Sequence, residues 1–216
     1  MLRRNFVAGL AGLGALLSGC ATAPAEYQGA DAGTVVVGLG MLGETKMESI
    51  RLIVQRVGAP AAFPSLSYQH RSMMGADKPD FQFDDRAERG VVLVRAMPPG
   101  DYVLSGFSLV WANNAFTPQK ALAIRFTVKS GQATYLGNYQ FTEVTGSNVW
   151  GMTVPEGGFF AVEDRAATEL PLAQRKGLSP QMPVINATVD ADRLNHPLLM
   201  SAAKRKRLAA AAGKAS

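Results

Sequence analysis

The sequence predicts a mainly β protein, one two-sheet sandwich followed by a C-terminal helical extension. Three observations carry that reading. Short runs alternate apolar and polar side chains between Thr34 and Val162, Gly/Pro turns break them at close intervals, and beyond Val162 the chain turns alanine-rich and charged. Period-two alternation marks half-buried strands, and many short strands between such turns suit a sandwich. The 216 residues then divide into a leader (1–19), a flexible tether (20–33), the sandwich (34–162) and the helical extension with a basic tail (163–216).

The leader comes first. Arg3 and Arg4 precede an apolar run from Phe6 to Leu17 that is too short for the roughly 20 residues of a bilayer span. This is the layout of an export signal. Leu17-Ser18-Gly19-Cys20 closes it. The tetrapeptide resembles the lipobox of bacterial lipoproteins and matches it at all four positions. The resemblance implies cleavage between Gly19 and Cys20, and a diacylglyceryl thioether on Cys20 that anchors the protein to a membrane. Two or three acyl chains hold a protein durably, where one does so only marginally. Ala21, rather than Asp, after the cysteine implies by the family's sorting rule the outer membrane, where the periplasmic face is the expected side. Arg3-Arg4-Asn5-Phe6 also resembles the core of a twin-arginine signal, so the export route stays open.

Composition narrows the chemistry. Cys20 is the only cysteine, and once lipidated it leaves no disulfide, thiol nucleophile or thiolate ligand. The formal charge of +5 is misleading as to partners. Lys204, Arg205, Lys206, Arg207 and Lys214 lie in the tail, and residues 21–203 carry fifteen basic against seventeen acidic side chains. A nucleic-acid interface needs cations patterned on a reading element, so no nucleic-acid partner is expected.

The elements follow in order. Ala21 to Gly33 is Ala/Gly/Pro-rich and reads as the tether. Thr34–Met41 and Ser49–Val57 are β-branched and read as strands. Residues 58–90 form the longest irregular stretch, with a short strand expected only at Phe81-Gln82-Phe83. Val91–Met97, a Pro98–Asp101 turn and Tyr102–Trp111 read as a hairpin. Leu122–Lys129 alternates cleanly, and Thr134–Phe141 places Tyr135, Gly137, Tyr139 and Phe141 on one face. Asn148–Val154, a turn at Pro155–Gly158 and Phe159–Val162 complete the sandwich. Then Glu163–Lys176 has helical composition interrupted by Pro171, Pro183–Val189 suits a late strand, and Asn195 with Pro197 suits the start of a helix whose basic end complements its dipole. Pro98-Pro99-Gly100-Asp101-Tyr102-Val103-Leu104 resembles the strand opening of transthyretin-like and carboxypeptidase-regulatory-like sandwiches, which implies an Ig-like or transthyretin-like architecture. Phe126–Gly131 with Tyr135-Leu136-Gly137 resembles a pattern in envelope lipoproteins.

Catalytic patterns are sparse. Two histidines, His70 and His196, with no cysteine to spare make a poor transition-metal site. No phosphate loop or nucleophile elbow occurs. Gly38, Gly40 and Gly43 spell Gly-x-Gly-x-x-Gly, yet a β-branched run follows instead of the helix that a pyrophosphate would need; a glycine-punctuated strand explains them. No cofactor and no metal are expected. Tyr68, His70, Asp77, Asp80, Asp84 and Asp85 crowd the 58–90 stretch and form the candidate binding surface, since long loops are often functional. Trp111, Trp150, Tyr135 and Tyr139 suit either the core or sugar-stacking platforms. Lys204, Arg205, Lys206 and Arg207 are the candidate contact for an anionic surface. The expected role is therefore a lipid-anchored envelope protein that binds or scaffolds an envelope partner without catalysis. A glycan or small-molecule module, or a hydrolase using loop carboxylates with His70, stand as alternatives.

Overall fold

The computed structural model describes residues 27–42, 49–59, 66–69, 82–84, 88–111, 114–118, 120–147 and 153–212. In chain order these form β1 (Gly33–Leu42), β2 (Ser49–Arg56), β3 (Leu66–Gln69), β4 (Phe83–Asp84), β5 (Glu88–Met97), β6 (Gly100–Trp111), β7 (Asn114–Phe116), β8 (Ile124–Val128), β9 (Ala133–Ser147) and β10 (Thr153–Glu163). They continue with α1 (Ala166–Arg175), β11 (Val184–Asn186), α2 (Ala191–Leu194), β12 (Leu199–Ser201) and α3 (Ala202–Ala212). The strands make two packed sheets, as the alternation predicts. One runs β12-β10-β9-β1-β5-β4, with β11 also on β9; the other runs β3-β2-β6-β7, with β8 also on β6.

β1 is the centre of the larger sheet. It pairs antiparallel with β5 and parallel with β9. Its alternate residues Val35, Val37, Leu39 and Met41 point into the inter-sheet core, where they meet Leu52, Tyr102, Leu104 and Phe107 of the smaller sheet. The chain changes sheets at Pro98-Pro99, which have no N–H to offer a ladder. Tyr102 Oη donates to the Pro98 carbonyl at 2.7 Å and Arg56 Nη2 to that of Pro99 at 2.6 Å, fixing the corner.

The opposite face of the larger sheet is not left to solvent. Val36, Val92, Ala133 and Tyr135 form a second small core there with Ala173 of α1 and Leu178 just after it. Pro171 lies inside α1 rather than ending it. Its ring would deprive the Ala167 carbonyl of a partner, but both residues sit on the exposed side, where water can serve. Gly177, at φ +99°, closes the helix: Gly177 N–H bonds the Gln174 carbonyl and Leu178 N–H that of Ala173, the double bond of a Schellman stop.

Several sequence expectations are revised. Pro155–Gly158 is not a turn: β10 runs through it, antiparallel to β9, with a bulge between Pro155 and Gly157, while residues 148–152 lie outside the described residues. Asn195 does not open a helix; it ends α2 in the left-handed region at φ 46°. The chain after Pro197 first adds β12 to β10, and α3 starts only at Ala202. Asp192 decides this. Its carboxylate accepts from Ser201 N–H at 3.0 Å and Ser201 Oγ at 2.6 Å, and Ser201 Oγ in turn accepts the Lys204 N–H at 3.0 Å. Lys204–Arg207 therefore occupy the first two turns of α3, not its C-terminal end, where they would suit the dipole.

Candidate functional site

A β-strand side chain can share a face only with neighbours two positions away. Tyr135 and Asn138, three apart on β9, nevertheless both point outward beneath α1. The cause is Gly137, at φ +95°, where the register against β1 slips by one residue. A residue with a Cβ resists that conformation, and the extra residue inverts the alternation beyond it. Tyr135 thus belongs to the outer core, while Tyr139 and Phe141 belong to the inner one. The single face expected for all three is divided by this bulge.

Glu169 of α1 descends onto the pair and is 2 % exposed. Tyr135 Oη donates to Glu169 Oε2 at 2.8 Å, and Asn138 Nδ2 donates to Oε1. The Arg165 N–H donates to Tyr135 Oη at 3.1 Å. The Arg165 guanidinium grips Glu88 Oε2 at 2.5 Å and Oε1 at 2.9 Å, and Glu163 Oε2 at 2.7 Å. The floor is Gly38: a Cβ there would lie 2.5 Å from Asn138 Nδ2 and closer still to Glu169 Oε1. Gly40 faces Gly90 of β5 across the ladder, with room for no Cβ against the Arg89 carbonyl. Close approach accounts for both glycines. Gly43 lies outside the described residues.

The carboxyl of Glu169 is pushed above its ordinary range, chiefly by burial; the Tyr135 and Asn138 donors and the Arg165 charge oppose this, and Glu163 adds to it. Burial likewise raises the Tyr135 phenol, helped by Glu169, and the Tyr139 phenol, while Glu88 pulls the Arg165 guanidinium up. Asn138 Oδ1 is buried and unpartnered. Turning its amide over would present that oxygen to a protonated Glu169, so the site accepts either charge state. Chemically, the cluster is a latch that ties α1 to the sheet, shielded from any external substrate.

Its pH dependence has a definite sign. Above about pH 4 the unfolded chain releases the Glu169 proton while the fold still retains it. Unfolding then releases a proton, so this contribution is full at low pH and is lost as pH rises through the raised folded value. Glu169→Gln keeps an acceptor for Tyr135 and, with Asn138 turned over, a donor for its Oδ1. Urea midpoints measured between pH 4 and 8 should show the variant gaining on the parent as pH rises; a difference independent of pH would refute the raised carboxyl.

The other expected site residues are scattered. Cys20, His70, Asp77, Asp80 and Asp85 lie outside the described residues, as does Trp150. Tyr68 is on β3, opposite Ile50 in the smaller sheet, whereas Asp84 is on β4, opposite Arg89 in the larger. Tyr135 and Tyr139 are buried and offer no stacking platform. His196 is also buried, its Nδ1 accepting the Leu198 N–H at 3.3 Å; burial, with the charge of Lys120, holds its pKa below the usual value. Among the described residues no three His, Cys, Asp or Glu side chains gather as for a metal, and no helix is long and apolar enough to cross a membrane. An open cleft of about 290 Å³ lies on the smaller sheet, lined by Val57, Asp101, Tyr102, Arg125, Phe126 and Thr127.

Glu169 escaped the sequence reading, although a signal existed. Ala166, Glu169, Leu170 and Ala173 fall at i, i+3, i+4 and i+7, the inward stripe of a helix, with an acid in the middle of it. No family model matches the chain, and no curated protein or solved structure is found to be similar to it.

Proposed function

We propose that the protein is a lipid-anchored component of the bacterial cell envelope, held on the periplasmic face of the outer membrane, whose sandwich binds or scaffolds an envelope partner without catalysing a reaction. The observation that carries this reading is Leu17-Ser18-Gly19-Cys20, set at the end of a basic and then apolar leader. The geometry supports the binding role in two ways. The Glu169 carboxyl, pushed up by burial, is spent on holding a helix. The outer face of the smaller sheet, by contrast, presents Arg51, Gln55, Asp101, Arg125 and Thr127 to solvent, a mixed polar surface suited to a partner. The chain enters β1 beside the β8–β9 turn, where Thr34 N–H bonds the Gln132 carbonyl at 2.9 Å, which supports attachment of the sandwich at that end.

Growth with an alkyne-tagged palmitate tests the anchor. The tag should appear on the protein and disappear in Cys20→Ser, which should also leave the membrane fraction. In-cell crosslinking of the two forms tests the scaffold: a stoichiometric partner that depends on Cys20 is expected. An untagged protein would overturn the anchor, and the absence of any discrete adduct would overturn the scaffold.

A further inference from the structure

α3 is an odd helix for a folded protein to keep. Among its described side chains only Ala202 is buried and Arg205 half-buried; Lys204, Lys206, Arg207, Leu208 and Ala209 to Ala211 are exposed. A helix that buries no apolar stripe draws little stability from its body. Its charges make matters worse, because four cations crowd the positive end of the dipole and its first turn holds no acid. Asp192, the carboxylate at its base, is bonded through both oxygens to Ser201 and also feels the charges of Lys204 and Arg207, one carboxylate set against four cations. Folding alone does not explain these residues.

They are nonetheless held in place. β12 is the edge strand of the larger sheet, paired in parallel with Phe160–Val162, and α3 follows it without a break from a capped Ser201. Consecutive positions on a helix are about 100° apart, so the four cations fan around the axis instead of forming one stripe. A groove in a protein would meet one stripe; a planar layer of phosphates can be reached by long flexible side chains from several sides. Charge complementarity favours the same occupant, since residues 21–203 are net acidic and the tail is basic.

We infer that α3 docks on an anionic lipid surface, with Lys204, Lys206 and Arg207 in contact with headgroup phosphates and Leu208 at the edge of the acyl layer. This deepens the anchored reading, on which the lipid at Cys20 brings α3 to the membrane. The thirteen residues from Cys20 to Gly33 span at most about 45 Å, while three strand spacings of about 4.8 Å separate β12 from β1. The two contacts can share one surface.

The test places an environment-sensitive fluorophore on Leu208→Cys in the full chain carrying Cys20→Ser, with vesicles of phosphatidylcholine alone or mixed with phosphatidylglycerol. The emission should shift to the blue on the anionic vesicles only, and high salt should reverse it. Each cation near such a surface changes partition about five-fold, so Lys204→Gln, Lys206→Gln and Arg207→Gln together should weaken the response about a hundred-fold. Lys204→Arg with Lys206→Arg should preserve it. An equal response to both vesicle types, no response to either, or saturation by inorganic phosphate without vesicles would overturn the inference. Failure of the anchor would appear instead as an untagged Cys20, which this variant does not use.

Discussion

Phe160→Ala should cost about 3–5 kcal/mol of unfolding free energy, the range for truncating a fully buried aromatic. Phe160 is 0 % exposed on β10 and meets three rings at their edges: Phe107 at 4.7 Å, Phe141 at 5.4 Å and Tyr139 at 6.1 Å. Phe107 belongs to the smaller sheet and the other two to the larger, so this one ring helps hold the layers together. Its neighbours cannot collapse into the space, because Phe141 is already wedged over Gly158, where a Cβ would strike its ring. A typical domain has only about 5–15 kcal/mol to lose. The urea midpoint should fall by about a fifth or more with an unchanged slope. Val57→Ala, at a position 52 % exposed, provides the contrast and should stay within about 0.5 kcal/mol. A loss at Phe160 no larger than that would mean that the sheets are held elsewhere.

Local pattern made the sandwich legible. Ile124, Phe126 and Val128 alternate with exposed neighbours as their spacing predicts, and the strands at Gly33–Leu42, Glu88–Met97 and Gly100–Trp111 come within a few residues of their expected bounds. What pattern did not give is anything set by partners distant in sequence. Tyr135 and Tyr139 read as one face until Gly137 shifts the register against β1. Pro155–Gly158 reads as a turn because its composition is that of a turn, but pairing with Glu143–Thr145 stretches it into a strand. Leu199–Ser201 has the composition of a helix start and becomes a strand because the edge of β10 is open to it. The tail is thus part of the sheet before it becomes a helix. For the candidate site the failure is of the same kind. A lone Glu in a helical stretch carries no sign of the Tyr, Asn and Gly that meet it, from 31 to 131 residues earlier in the chain.

That meeting supplies the second large effect. Gly38→Ala would put a methyl where the Glu169 carboxylate and the Asn138 amide now lie. The strand cannot move away easily, since β1 is clamped between β5 and β9 on both edges. Glu169 must therefore yield, leaving Tyr135 Oη and Asn138 Nδ2 without their acceptor. Each buried group stranded in this way costs about 1–3 kcal/mol, so a loss of about 2–6 kcal/mol is expected for the two. The origin of that loss can be isolated by a double-mutant cycle with Glu169→Ala. On its own, Glu169→Ala strands the same two donors. Adding Gly38→Ala then meets no carboxylate, and the stiffer backbone of alanine should make the second change neutral or favourable by about 0.5–1 kcal/mol. The cycle should thus show a coupling of at least about 2 kcal/mol. If Gly38→Ala costs the same in both backgrounds, the methyl collides with the sheet itself, and the glycine is there for the strands rather than for the carboxylate. Gly40, whose nearest obstacles are the Arg89 carbonyl and Gly90, is the internal standard for that outcome: its replacement should be equally damaging with or without Glu169.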